Sequence, residues 1–524
     1  MKSRIVAAIT AALALAAIAG ISIASADRPK GAASAEAAAE ASAELRGAVA
    51  FKGMDAHLQE LQKIADQNDG SRASGFPGYE ASVKYVAKTL EKAGWDVTTQ
   101  AFDFEAFVID KPTVFEQTAP TATTYEEDKD FNTMEFSGSG EVTAELVAIN
   151  LEIPAPKEPG VKSGCKARDF EGLDVVGKIA LIQRGTCDFA VKVKNAAKAG
   201  AAAAIIFNEG QKPDRVEIVD GTLGAEAKIP AVDTSFKLGS KLANGVANGP
   251  TGVTAHIKTT THVDERSAEN VIAETPGGKA NNVVMAGAHL DSVEEGAGIN
   301  DNGTGSAALL EIAEQVSDLG IEPKNKIRLA WWGAEEVGLI GSTEYVESLE
   351  KSEAKDIALY LNFDMLGSPN FTRQVYDGDG SAFDAAGPKG SDAIERNYEK
   401  YFASEDLPTD ETAFDGRSDY LAFITVGIPS GGLFSGAEEV KSKKEQKLYG
   451  GKAGKPYDPC YHEKCDDIDN VSKKSLDPMA DAVADSVMTY AFNLSALKSG
   501  GSDKAGSAKS AAANSDTVGH HLVR

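Results

Sequence analysis

The sequence is short of positive charge. Its 524 residues hold 53 Lys and Arg against 79 Asp and Glu, a formal net charge of −26. A surface of that sign repels nucleic acid and anionic membranes, so no nucleic-acid partner is expected. Long apolar runs are scarce too. The one present covers residues 5–23, behind Lys2 and Arg4 and ahead of Ala24-Ser25-Ala26. A basic start, an apolar middle and a small-residue close read as a secretory signal peptide, residues 1–26. No later stretch is apolar for long enough to span a bilayer, so no membrane contact is expected once the signal is cut and the chain secreted. Cysteine is limited to four residues, and none stands in the C-x-x-C spacing of structural zinc sites. An even count in an exported chain predicts two local disulfides, Cys165–Cys187 and Cys460–Cys465, with ligation of one zinc by all four left open. Histidine is limited to seven, two of them at His520 and His521 near the end.

What is present implies more than one domain, since this length exceeds one ordinary core. Residues 27–50 are Ala- and Glu-rich and read as a linker or propeptide. "GMDAHLQELQKIADQ" and "YEASVKYVAKTLEKAG" have apolar residues at helical spacing, with "GSRASGFPG" as a loop between them and "WDVTTQAFDF" as a strand beyond. From about residue 126 the texture changes to strand, loop, helix, strand in "VVGKIALIQRGTCDFAVKVKNAAKAGAAAAIIFNEG". Strands resume in "ENVIAETPG" and "NNVVMAGAHLDS". A helix ended by Gly320 and two apolar strands running into acids follow. Alternating strands and helices with polar residues at the strand ends predict an α/β fold, a mixed and largely parallel sheet flanked by helices. Sites in such sheets gather at those ends. Residues 498–524, rich in Gly, Ser, Ala and Lys, read as a flexible tail.

The chemistry-bearing residues recur at those strand ends. His289 and Asp291 follow "VVMAGA", Asp301 sits in "GINDNGTG", Glu335 and Glu336 follow "LAWWGA", Asp364 follows "YLNF", and His462 lies in "DPCYHEKCDD". A single carboxylate at a strand end is usually solvated or a helix cap; repetition at equivalent points of one sheet points to a shared site. His289, Asp301, Glu336, Asp364 and His462 provide a bridging acid and two further ligands for each of two zinc ions. Asp291, two residues beyond His289, points the same way on an extended segment and is placed to orient the imidazole. Glu335 is left over beside a ligand, which suits a general base.

"GKIALIQRGTCDF" and "AGAAAAIIFN" resemble the protease-associated domain, over residues 126–261. "AGAHLDSV…GAGINDNGTGSAALLE", "WWGAEEVGLIGS", "LNFDMLGSPN", "FDGRSDY", "GGLFSGAE" and "DPCYHEKC" closely resemble the secreted bacterial di-zinc leucine aminopeptidases of the aminopeptidase Y family. That likeness covers about residues 54–497 apart from the insertion, and the catalytic peptidase domain is expected over residues 51–125 and 262–497. It implies the zinc exopeptidase fold and hydrolysis of N-terminal residues, large and hydrophobic such as Leu. It implies His289 and Asp364 on one zinc, Glu336 and His462 on the other, and Asp301 bridging. Glu335 is then the base and Tyr461 a hydrogen-bond donor to the scissile carbonyl. Arg417 is implied to line the site, and Met365, Gly416 and Phe434 the pocket for the first side chain. It also implies a cis Asp301–Asn302 peptide. Some members bind calcium through an N-terminal Asp and two later ones. Asp477 and Asp481 match the later pair, but the first position falls near Ala48, which puts calcium in doubt. Peptide or protein N-termini are the expected partners, and the chain is expected to be a monomer. The alternatives are a carboxypeptidase, for which Arg417 alone is thin support, a dipeptidase on the same scaffold, and a receptor-like binding protein without metals.

Overall fold

The computed structural model describes residues 30–498 except 212–214, 220 and 384. The expected signal peptide and most of the expected tail lie outside the described residues. The strands are β1 (Asp96–Ala119), β2 (Thr123–Thr124), β3 (Phe131–Thr133), β4 (Gly140–Ala148), β5 (Ile179–Gln183), β6 (Ala203–Phe207), β7 (Ala231–Thr234), β8 (Gly249–Glu274), β9 (Lys279–His289), β10 (Asn325–Trp332), β11 (Ile357–Asp364), β12 (Gln374–Tyr376), β13 (Asp410–Thr412) and β14 (Ser430–Phe434). The helices are α1 (Lys30–Ala48), α2 (Phe51–Asp66), α3 (Pro77–Lys92), α4 (Phe189–Lys198), α5 (Phe236–Ala243), α6 (Thr304–Asp318), α7 (Ile340–Ser348), α8 (Lys351–Asp356), α9 (Ser391–Ser404), α10 (Tyr420–Thr425), α11 (Lys443–Tyr449) and α12 (Lys473–Phe492).

One sheet runs in the order β13-β12-β14-β11-β9-β10-β8-β4-β5-β6-β7-β3. In its first half β9 pairs in parallel with β10 and β11, and β11 with β14. Their side chains alternate between two cores. Val284, Ala286 and Ala288 of β9 face the cluster that holds Leu58 of α2, Leu309 of α6 and Val483 of α12. Val283 and Met285 face the opposite cluster, with Trp332, Tyr360 and Phe423. Burial on both faces is why these strands read as unbroken apolar runs. Because the strands are parallel, their carboxyl ends lie at one edge, and Trp332 of β10 stands beside His289 of β9.

The second half of the sheet belongs to the inserted unit. β4, β5, β6 and β7 are parallel in sequence of pairing, and β4 runs antiparallel to β8. The two halves are joined by a ribbon. β1 and β8 pair antiparallel from Asp96↔Glu274 to Ala119↔Thr254, with register shifts on either side of Lys111. Beyond that break Phe115, Tyr125, Val253, Ala255 and Ile257 pack into the core of the inserted unit, with Ile179 and Phe207. That core therefore draws in residues upstream of the expected start at residue 126. The sequence hides this because one strand serves both domains without a turn. Deletion of residues 111–260 with a short turn in their place should leave the catalytic half folded and as thermally stable as before. Deletion of 126–261 should lower its melting temperature, because it keeps residues 111–125 but removes the stretch of β8 they pair with and the core that covers Phe115. Differential scanning fluorimetry of both deletions checks this.

The segment expected as linker or propeptide carries α1. Leu45 is fully buried, Ser42 Oγ donates to Asp485 Oδ1 of α12 at 2.5 Å, and Arg46 pairs with Glu405 at 3.3 Å. Both disulfides are formed, Cys165–Cys187 and Cys460–Cys465, with Cα separations of 5.8 and 5.2 Å. No helix among the described residues is long and apolar enough to cross a membrane.

Candidate active site

The acids and His of the strand ends converge. His289 ends β9 and is 1% exposed. Its Nε2 lies 3.1 Å from Asp301 Oδ1, 3.3 Å from Asp364 Oδ1 and 4.0 Å from Glu335 Oε2. His462 Nε2 lies 3.3 Å from Asp301 Oδ2 and 3.0 Å from Glu336 Oε2. The two oxygens of Asp301 thus face one histidine each.

Each of these groups has a local cause for its position. Asp301 follows Gly298, whose φ of 59° turns the chain, and the Asp301–Asn302 peptide is cis. The N–H groups of Asn300 and Asp301 both donate to the Asp466 carboxylate at 2.9 Å. After β10 the chain turns at Ala334, φ 53°, and the N–H groups of Glu335 and Glu336 donate to the two oxygens of Asp291 at 3.3 and 3.4 Å. Asp291 therefore sets the glutamate turn. Its carboxylate is 3.6 Å from His289 Nδ1, farther than its own backbone oxygen at 3.2 Å. Asp364 ends β11 and accepts from Ser418 Oγ at 2.6 Å. His462, φ 56°, sits in the loop closed by Cys460–Cys465, with the Tyr461 ring stacked on it at 3.8 Å. Arg417 donates to Tyr461 Oη at 3.2 Å and to Glu438 at 2.8 Å.

The cluster is short of positive charge. Burial, then Asp364, Asp419 and Glu336, hold Glu335 well above its ordinary pKa. Burial pushes Glu336 up to about 7, with Asp301 adding and His462 opposing. Burial also raises Asp301, but hydrogen bonds to His289 and His462 outweigh it and keep it ionised. For His289 burial favours the neutral ring, and the surrounding carboxylates reverse that strongly. Glu336 Oε1, Asp364 Oδ1 and His462 Nδ1 are buried without a hydrogen-bond partner. Buried charge of one sign with orphaned oxygens calls for cations, and this set of imidazole nitrogens and carboxylate oxygens suits zinc. Two of the ligand groups whose atoms cluster closely enough are His289–Asp301–Glu336 and His289–Glu335–Asp364.

The same cleft is lined by Met365, Phe434, Arg417 and Tyr461, with Tyr376, Thr412 and Ala413 completing an apolar wall. Gly416 is absent from that lining; its N–H donates to Tyr420 Oη at 2.7 Å. The later pair of Asp expected for calcium is engaged otherwise. Asp477 pairs with Lys473 at 2.7 Å, and Asp481 lies in the field of Arg46. Among the described residues no close group of three metal-ligating side chains includes either.

Sequence reasoning missed several supporting groups. The Arg72 guanidinium, fully buried, donates to the carbonyls of Leu290, Ala297 and Gly298. Asp466 directly follows Cys465 in "DPCYHEKCDD", so its place beside a cysteine loop was the available signal. Ser418 and Asp419 lie in "GRSDY", again quoted but without a role.

Residues 270–487 match the family described as peptidase family M28, and residues 142–242 match the PA domain. An aminopeptidase of Pseudomonas aeruginosa strain UCBPP-PA14 is 48% identical over 430 residues, 82% of this chain and 78% of that one. The probable lipoprotein aminopeptidase LpqL of Mycobacterium tuberculosis is 45% identical, covering 87% and 88%. Among solved structures, an aminopeptidase from Aneurinibacillus sp. strain AM-1 is 28% identical with a TM-score of 0.66, over 85% of this chain and 95% of that one. A zinc aminopeptidase from Bacillus subtilis is 25% identical with a TM-score of 0.54, over 84% and 94%.

Proposed function

The chain belongs to peptidase family M28 and is a zinc-dependent aminopeptidase with a PA domain set into it; on that footing we propose that it is secreted, holds two zinc ions, and removes large apolar residues such as Leu from peptide N-termini. The observation that carries the two-ion reading is Asp301, whose Oδ1 faces His289 and Oδ2 faces His462. His289 and Asp364 would hold one ion, Glu336 and His462 the other, with Asp301 shared. When bound, the zinc ions supply Lewis acidity toward the scissile carbonyl and acidify the attacking water.

The chain's own groups do the rest. Glu335 accepts the proton of the water at its carboxylate and delivers it to the departing amine nitrogen. Tyr461 Oη donates to the carbonyl oxygen as negative charge develops there, and Arg417, already bonded to that hydroxyl, steadies it. Burial raises the Tyr461 phenol further above its ordinary pKa against the pull of Arg417, so it stays a donor. The free α-amine of the substrate is cationic and is met by Glu335 and Asp364. Met365, Phe434, Tyr376 and Ala413 form an apolar wall for the first side chain.

The test is a panel of residue-p-nitroanilides, free and N-acetylated, with and without a chelator. Leu-p-nitroanilide should be cleaved, its N-acetyl form should be inert, and chelation should abolish turnover until zinc is restored. Cleavage of the acetylated substrate at a comparable rate would rule out an amine-directed exopeptidase.

A further inference from the structure

A second group of metal-ligating side chains lies outside the cleft, between α2 and α6. His57 of α2 is 5% exposed, and Tyr85 Oη is 2.6 Å from its Nδ1. Its Nε2 is buried without a hydrogen-bond partner. That nitrogen faces Glu314 Oε2 at 3.4 Å, and Glu311 completes a set whose donor atoms all lie within 4.8 Å of one another. We propose that His57, Glu311 and Glu314 bind a divalent cation, zinc by their donor types, which pins α2 to α6.

The tautomer is the first support. With Nδ1–H donating to Tyr85 Oη at 2.6 Å, the Nε2 lone pair is directed at two carboxylates. A lone pair and two anions meet favourably only around a cation, and an outer partner on the other ring nitrogen is the usual companion of a histidine ligand. The distance is the second. A charge-assisted N–H···O bond is about 2.7–2.9 Å long. Tetrahedral ligands about 2.0–2.1 Å from zinc stand about 3.3–3.4 Å apart. The 3.4 Å between His57 and Glu314 matches the second value, and the cleft's nitrogen–oxygen pairs at 3.0 to 3.3 Å are close to it.

Glu311 gives the third support. It is 3% exposed, with Oε1 tethered by Ala50 N–H at 3.4 Å and Gln315 Nε2 at 3.2 Å. Its carboxylate rests on Gly53 inside α2, where a Cβ would come within 2.0 Å of Oε2. Gly53 lies in the first turn of α2, where any side chain would displace that carboxylate. Glu311 and Glu314 are three residues apart on α6 and share a face. Glu314, 39% exposed at its side chain, leaves a route for the ion and room for a water as fourth ligand. Because α6 begins just after Asp301, the ion would fasten the N-terminal helices to the segment carrying the shared acid of the cleft.

The full chain, dialysed to equilibrium against micromolar zinc, tests this by metal content. His57→Gln and Glu314→Gln should each bind one zinc fewer than the unmodified chain while Leu-p-nitroanilide turnover is unchanged. Should His57→Gln fail to fold, Glu314→Gln alone decides, since its side chain is partly exposed. Equal metal counts in the unmodified chain and the folded variants mean that a proton on His57 fills the place, and the proposal is overturned. The difference in count is what matters. An unmodified total of two falling to one in these variants supports this site and counts against a two-ion cleft.

Discussion

Replacing Glu335 by Gln should lower kcat by at least ~10²–10⁴ while leaving zinc content and fold intact, the loss expected when a general base goes. Gln keeps the size and the hydrogen-bonding capacity of the side chain, but it takes no proton at neutral pH. Glu335 Oε2 is 4.0 Å from His289 Nε2, farther than Asp301 or Asp364. Glu336 Oε2 lies 3.0 Å from His462 Nε2, so Glu336→Gln should instead weaken one zinc site. The measurement is metal per chain beside Leu-p-nitroanilide turnover for both variants. If Glu335→Gln lost zinc while folded, or kept near-normal turnover, the two roles would have to be exchanged.

The second large effect is expected far from any reacting atom. Arg72→Leu should lower stability by about 3 kcal/mol, because buried carbonyls left without donors cost ~1–3 kcal/mol each. The shift is about 2–4 °C per kcal/mol for domains of 150–250 residues and smaller for a longer chain, so the melting temperature should fall by several degrees. Burial lowers the Arg72 pKa to about 10 against the pull of Asp291 and Asp466, so the guanidinium stays charged at neutral pH. It spans three carbonyls on either side of the loop that leads from His289 to Asp301. Arg72→Lys should fall between, since one ammonium reaches fewer of those oxygens. Thermal unfolding of the zinc-loaded protein decides the matter. An unchanged midpoint in Arg72→Leu would show that water or local relaxation replaces the fork.

These two residues show what a single sequence carries. Glu335 was legible because a parallel sheet puts strand ends at one edge, and apolar runs breaking into acids mark those ends. His289, Asp301, Glu336 and Asp364 were found in the same way, and the structure brings them together with His462. Arg72 was hidden in "GSRASGFPG", a stretch that any rule of local composition reads as an exposed loop. Its partners stand 218 to 226 positions away. Asp466 is similarly remote from the Asp301 turn that it holds, by 165 positions. The inserted unit was legible from its texture, but not the place where its core begins, because β1 and β8 run from one domain into the other, with only register shifts near Lys111 to mark the passage. Gly416 is set back from the cleft lining for a related reason. A motif fixes its backbone neighbourhood, and the neighbouring Tyr420 claims its N–H.

The pairing of α1 with α12 bears on how the protein is made. Ser42 and Asp485 are 443 positions apart, so the first described helix finds its bed only after nearly the whole chain has been synthesised. Contacts of such separation form late and slowly, since the long loop between them must close first. Until then Leu45 and its neighbours are an uncovered apolar strip, and a chain that stops short of α12 has nowhere to put them. The closing of this pair therefore reports that α12 has been made, and a product truncated before it would leave α1 open to proteases at its opposite terminus.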